Sequence, residues 1–300
     1  MIRAMLRAYA HDRFTFPVPE GHRFPLEKYA LVRGLVDQNP AVSVHEGPPA
    51  TWDEIGRAHH PEWVRRVRFG LLDRRELAGL GLPWSPALVV RALHACGSTT
   101  AAARDALTDG IAAALGGGMH HASHRVGRGY CTFNDVAIAI AVLRSEGAAR
   151  RVLILDLDVH QGDGNAELFA ADAATVVVSI HGARNYPFTR PPSDLDIDLP
   201  DGTGDVDYLA ALDTALAFAH ARGPYDLAIL IAGADPYAGD ALGRLALSLE
   251  GLAERDRRAL HSLRAAQTPV CVTLAGGYGR SLKATAAIHA ATIAAAATCR

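Results

Sequence analysis

The chain has almost no lysine: Lys28 and Lys283 are its only two, and arginine supplies the rest of its positive charge. That skew looks like a coding bias and carries no function. Basic runs are also missing, and a formal charge of −2 leaves nothing that resembles a nucleic-acid stripe, so direct nucleic-acid binding is not expected. No apolar segment approaches the ~20 residues of a membrane-spanning helix. Met1 to Phe14 is broken by Arg3, Arg7, His11, Asp12 and Arg13, which argues against a signal peptide and for a cytoplasmic protein. Cys96, Cys131, Cys271 and Cys299 show no CxxC spacing, so free thiols in a reducing compartment are expected rather than a zinc knuckle. No linker, repeat or charge block divides the chain, and residues 1–300 read as a single domain. What remains is 49% hydrophobic and 21% charged, the make-up of a globular protein with a sizeable core.

Regular alternation of strands and helices occupies the second half. The spacing predicts strands at Val152 to Asp158, Thr175 to Ile180, Leu227 to Ala232 and Val270 to Leu274, with another at Ile111 to Leu115. Between them come a helix capped by Asn134, a short helix around Ala166 to Ala170, and longer ones from Val206 (capped by Asp205) to Ala221 and from Leu249 to Ala266. A helix from Ser281 closes the chain. Upstream, Pro86 opens a helix over Ala87 to Leu107 with a break near Gly97, and Thr51 with Glu54 forms a capping box. The first 50 residues, rich in proline, read as an irregular packed segment with one helix from Leu26 to Gln38. His59 and His60, before Pro61, read as a solvated loop, and Tyr186 to Pro200 as a proline-rich loop. Strands alternating with helices imply an α/β fold, a central parallel sheet covered by helices on both faces.

In such a sheet, ligands gather at the carboxyl ends of the strands. Four strands here end in polar residues or glycine: Asp156/Asp158/His160, Ser179/His181, Asp235 and Gly276-Gly277-Tyr278. If the first strand stays extended, Asp156, Asp158 and His160 share a face, and buried acids beside an imidazole call for a neutralising partner such as a divalent metal. Gly116-Gly117-Gly118-Met119-His120-His121 lets backbone approach a ligand just before two histidines. A catalytic zinc takes three protein ligands and keeps a position for water, whose pKa it lowers to ~7.

Taken in order, these blocks resemble one family. Gly117-Gly118-Met119-His120-His121-Ala122, Gly129-Tyr130-Cys131-x-Phe133-Asn134-Asp135, the Asp156 to Gly164 stretch, Ala232-Gly233-Ala234-Asp235-Pro236 and Gly276-Gly277-Tyr278 resemble the zinc-dependent histone deacetylases of the arginase-deacetylase fold. The likeness is to class IV and its bacterial relatives, and Phe24-Pro25-Leu26-Glu27-Lys28-Tyr29 looks like the class IV opening. The resemblance implies Asp158, His160 and Asp235 as zinc ligands. It implies His120 and His121 as the tandem active-site histidines, paired with Asp156 and Asp163, and Tyr278 as donor to the substrate carbonyl. Tyr130, Tyr186 and Gly129 would line an acyl-lysine channel, with Met119 at its floor. Backbone oxygens of Asp156, Asp158 and His160, with Ser179 and Ile180, resemble a potassium site.

The departures are specific. Gln161 stands where many deacetylases have a second histidine, which is the class IV form. Asp163 replaces the Asn of many class IV members, and Met119 replaces a leucine or tryptophan. The implied activity is zinc-dependent hydrolysis of an acylated lysine or of a small acylated amine such as an acylpolyamine. An arginase-type dinuclear hydrolase would need more carboxylate motifs than this chain supplies. A non-catalytic acyl-lysine binder would have no need of His121, Asp163 and Tyr278. Asp240 is expected as a helix cap or behind the site rather than as a ligand, His181 behind the site, Cys131 in packing, and His45, His94, His220, His261 and His289 as ordinary surface or helix residues.

Overall fold

Short apolar runs become strands buried on both faces. In the computed structural model, which describes residues 5–299, β1 (Leu6–Ala10), α1 (Glu27–Val36) and β2 (Val42–Glu46) come first. Met1–Ala4, part of the stretch read for a signal peptide, and Arg300, the end of the expected domain, lie outside the described residues. Then follow α2 (Trp52–Gly56), α3 (Pro61–Phe69), α4 (Arg74–Leu80), α5 (Pro86–Asp109), β3 (Ile111–Ala114) and α6 (Asp135–Ser145). The second half holds β4 (Val152–Asp156), α7 (Asp163–Phe169), β5 (Thr175–Gly182), β6 (Leu195–Leu199) and α8 (Asp205–Arg222). β7 (Leu227–Ala232), α9 (Leu249–Ala265), β8 (Val270–Leu274) and α10 (Leu282–Thr298) complete it.

The strands form one parallel sheet in the order β2-β1-β3-β8-β7-β4-β5-β6. Alternation along each strand splits the core in two. Leu153 and Leu155 of β4, with Leu230 of β7 and Val272 of β8, pack against α1, α8, α9 and α10. Val152, Ile154, Ile229 and Cys271 turn the other way, toward Ala102 and Ala106 of α5 and Ile140 and Leu143 of α6. At ~25 cal/mol per Å² of apolar surface, this double burial is the main force holding the sheet.

Several expectations change. The N-terminal segment is not simply irregular: β1 and β2 extend the sheet, their small and β-branched residues pairing in register from Leu6↔Val42. The proline-rich stretch contains the edge strand β6, whose Leu195-Asp196-Ile197-Asp198-Leu199 alternation is a strand pattern that the surrounding prolines overshadow. α5 runs unbroken through Gly97, because that glycine lets the helix press against the Pro48 carbonyl, where a side chain would collide. Asp205 does not cap α8; Gly204 holds that position, and the Asp205 carboxylate accepts from Ser248 instead. The capping box of Thr51 and Glu54 and the Asn134 cap form as expected.

His59 is fully buried rather than in a solvated loop. Its Nδ1 lies 3.0 Å from the Ser123 carbonyl and its Nε2 accepts the Asn134 amide at 2.8 Å, which anchors the start of α6. His60 caps α3, its Nδ1 accepting from the Glu62 amide.

Candidate metal and acid-base site

β4 stops at Asp156, two residues short of the expected end, and the chain then bends. That bend separates the three polar groups read as one face. The Asp156 carboxylate turns to His120, Oδ2 to Nδ1 at 2.7 Å. Asp158 and His160 turn instead toward Asp235, which follows β7. Ligand atoms of Asp158, His160 and Asp235 lie within 4.8 Å of one another, the one such group found among the described residues.

The three are held from behind. The Asp158 carboxylate accepts the Gly276 amide at 2.8 Å and the His160 amide at 3.0 Å, and Asp235 Oδ1 accepts the Val159 amide at 3.0 Å. A methyl group at Gly276 would overlap both carboxylates, so the loop after β8 can approach this closely only as glycine. His160 Nδ1 faces Asp158 Oδ1 at 3.0 Å and Asp235 Oδ2 at 3.3 Å. Despite that proximity, Asp235 Oδ2 makes no hydrogen bond of good geometry and is shut off from solvent. Two buried carboxylates and an imidazole converging with an orphaned oxygen suit a divalent cation with nitrogen and oxygen ligands, as zinc is. Without the ion, burial pushes Asp235 up to about 7, with Asp158 adding to the rise. Burial works against charge on His160 too, but the two carboxylates outweigh it and raise the imidazole to about 10.

Beside this group stand the tandem histidines, their rings 4.2 Å apart. Each has its own acid: His120 with Asp156, and His121 with Asp163 at 2.6 Å. Their environments drive them apart. Burial would lower His120, but Asp156 overrides it and holds the imidazole up at about 9. Burial and the charge of His120 push His121 down to about 4, despite Asp163. In the ion-free protein the two surroundings thus push adjacent imidazoles in opposite directions, His120 toward the cation and His121 toward the neutral base, a divergence of the kind that separates acid and base roles.

Tyr278 follows Gly277 at the rim. Its backbone amide donates to Asp240 at 2.6 Å, so Asp240 fixes the loop rather than a metal or a helix cap. Burial and the nearby Asp158 and Asp235 raise its phenol far above the ordinary value, so it stays a donor. Tyr130, at φ 68°, lies 5.8 Å from the Tyr278 ring, and Tyr186 sits edge-on to His121 at 4.9 Å. With Gly129 and Leu242 these rings line an outer channel that reaches His160. Gly129 must lack a side chain, because a Cβ would stand 2.7 Å from His121 and 3.2 Å from Tyr186. Met119 lines the inner cavity, its amide held by Asp135. Cys131 packs there, its thiol raised by burial to a pKa that leaves it inert.

Ser179 pairs in register with Asp156, so the residues of the expected potassium site are neighbours, and the Ser179 hydroxyl bonds the buried His181. His289 is buried rather than ordinary, against Gly277.

Arg128 escaped the sequence reading. Its Nε lies 2.8 Å from Asp163 Oδ2 and also donates to the His121 carbonyl, bracing both members of that pair. Nothing in its spacing pointed there. Only the 20-residue loop from β3 to α6, long for a connection without regular structure, marks the region.

Residues 22–295 match the family model described as the histone deacetylase domain. An uncharacterized protein of Picosynechococcus sp. is 38% identical over 277 residues, covering 91% of this chain and 92% of its own length. A polyamine deacetylase of Homo sapiens is 31% identical over 82% of this chain, which spans 40% of that protein. Histone deacetylase 2 of Arabidopsis thaliana is 34% identical over 62% of this chain, which spans 49% of it. A solved structure, a histone deacetylase homologue from Aquifex aeolicus, superposes with TM-score 0.84 at 22% identity, over 98% of this chain and 84% of its own; it supports the fold alone.

Proposed function

The chain belongs to the histone deacetylase family, a deacetylase-like hydrolase of amides in the arginase-deacetylase fold, and from that premise we propose a zinc-dependent deacylase acting on an acylated lysine or lysine-like amine. One catalytic domain would carry the activity. The observation that supports this reading best is the pair of adjacent histidines, each hydrogen-bonded to its own buried carboxylate, beside the Asp158, His160 and Asp235 group. Asp158, His160 and Asp235 would hold the zinc, which when bound supplies Lewis acidity toward a carbonyl and toward water.

The chain's own residues then divide the work. His121, neutral and oriented by Asp163, accepts a proton from the attacking water and passes it to the departing amine. His120, cationic on Asp156, stabilises negative charge developing beside it. The Tyr278 hydroxyl donates to the carbonyl oxygen as it becomes an oxyanion. Tyr130, Tyr186 and Gly129 sheathe the alkyl stem, and Met119 shapes the floor. Potassium on the backbone oxygens near Asp156, Asp158, His160, Ser179 and Ile180 would stiffen the end of β4.

The test is a panel of acetyl-, medium- and long-chain acyl-lysine peptides with acetylpolyamines, with and without chelation. Turnover of at least one amide, lost on chelation and restored by zinc, is expected. Activity that survived removal of all divalent metals would sink the proposal.

A further inference from the structure

The inner cavity continues past the site and contains more charge than hydrolysis requires. Beyond Tyr278 and Met119 it is lined by Lys28, Tyr29, Arg91 and His11. Lys28 and Arg91 are 3% and 5% exposed, yet neither has a carboxylate within 4.0 Å among the described residues, although this protein pairs most of its other buried charges. Lys28 Nζ has one hydrogen bond, to the Ala275 carbonyl, out of three it can donate. Arg91 spends Nη1 on the carbonyls of Phe14 and His11, while its Nη2 is buried without a partner. His11 Nδ1 is likewise unpartnered.

These groups surround one ring. Arg91 Cζ lies 4.1 Å and Lys28 Nζ 5.2 Å from the centre of Tyr29, and the His11 ring 5.7 Å from it. Lys28 Nζ is also 5.7 Å from the centre of the Tyr278 ring. The cations therefore begin one short step beyond the carbonyl-polarising tyrosine. A buried cation without a counter-ion is costly, and an unpaired guanidinium edge matches a carboxylate in shape as well as charge.

Building on the deacylase reading, we propose that the inner cavity binds the distal carboxylate of a dicarboxylic acyl group, so that the preferred substrates are short ω-carboxyacyl amines of the succinyl or glutaryl kind. Two or three methylenes, joined by bonds of ~1.5 Å, cover the few ångströms by which Lys28 Nζ stands off the Tyr278 ring, 5.7 Å from its centre. Hydrolysis breaks the amide C–N bond, forms a C–O bond from water, and returns the water's protons to the amine and the new acid; the products are a free amine and a dicarboxylate.

Zinc-loaded enzyme is assayed on succinyl-, glutaryl-, valeryl- and octanoyl-lysine peptides, and free glutarate and acetate are titrated into it by calorimetry. At least tenfold higher kcat/KM for succinyl or glutaryl than for valeryl is expected, with glutarate binding tighter than acetate. In Arg91→Gln that ratio and the glutarate affinity should both fall at least tenfold, and Arg91→Lys should recover part of each. A preference for valeryl or octanoyl, equal binding of acetate and glutarate, or a ratio that Arg91→Gln does not move would overturn the proposal. Should no amide be turned over, the deacylase reading fails, while glutarate binding and its loss in Arg91→Gln still decide the anion site.

Discussion

At the scale of single residues, protonation is set by what faces each ring nitrogen. His59 must accept the Asn134 amide at Nε2 while its Nδ1 meets a carbonyl, so only the neutral tautomer with hydrogen on Nδ1 satisfies both. Burial lowers its pKa from 6.5 to about 4. The unfolded chain therefore binds a proton between those values that the folded chain refuses, and stability falls as pH drops from about 6.5 to about 4. The loss is on the order of 3 kcal/mol at most. In His59→Gln, whose amide can both donate and accept, the denaturation midpoint should depend less on pH across that window; an identical slope would clear His59 of the role. Tyr278→Phe isolates one donor in the same way. It should lower kcat by ~10²-fold or more with little change in zinc content, and an unchanged kcat would remove the phenol from the reaction.

Elements show which parts of this arrangement were legible in the sequence. β4, β7 and β8 were readable because short, mainly apolar runs end abruptly in acids or glycines, and the residues expected at their ends do converge. β1, β2 and β6 were not: prolines crowd the N-terminal segment that holds the first two, and the third is only five residues long, set between Pro191, Pro192 and Pro200. The division between Asp156 and the ligand group depended on a bend after β4, which no period reveals. Arg255 was also hidden, as one arginine among many in an amphipathic helix. Fully buried on α9, it donates to the carbonyls of Leu157 and Gly233, one and two residues before Asp158 and Asp235, and pairs with Asp256 at 2.8 Å. That helix thus ties together the two loops that carry Asp158 and Asp235. Arg255→Met should cost about 3 kcal/mol of stability by stranding Asp256 and two carbonyls. It should also weaken zinc about tenfold, as loss of a supporting contact does. Zinc affinity equal to wild type, measured by competition with a chelator, would show that α9 holds the fold but not the site.

Across the whole molecule, the ligand group exists only when distant segments meet, with Asp158 and His160 after β4, Asp235 after β7 and the Gly276 amide after β8. An unfolded chain cannot assemble it, so free energy of metal binding adds to folding. The ion-free protein bears the opposite burden, since Asp158 and Asp235 are both buried with His160 as the cation between them. Zinc at a hundredfold excess over its Kd should stabilise the wild type by about 2.7 kcal/mol, raising Tm by roughly 4 °C for a chain of this size. Asp235→Asn keeps the shape and removes one buried charge and one ligand. Its metal-free Tm should equal or exceed that of metal-free wild type, because the repulsion is gone, and zinc should no longer raise it. A metal-free variant that melts well below wild type would mean that Asp235 stabilises the fold through its charge, and continued stabilisation by zinc would place the ion elsewhere.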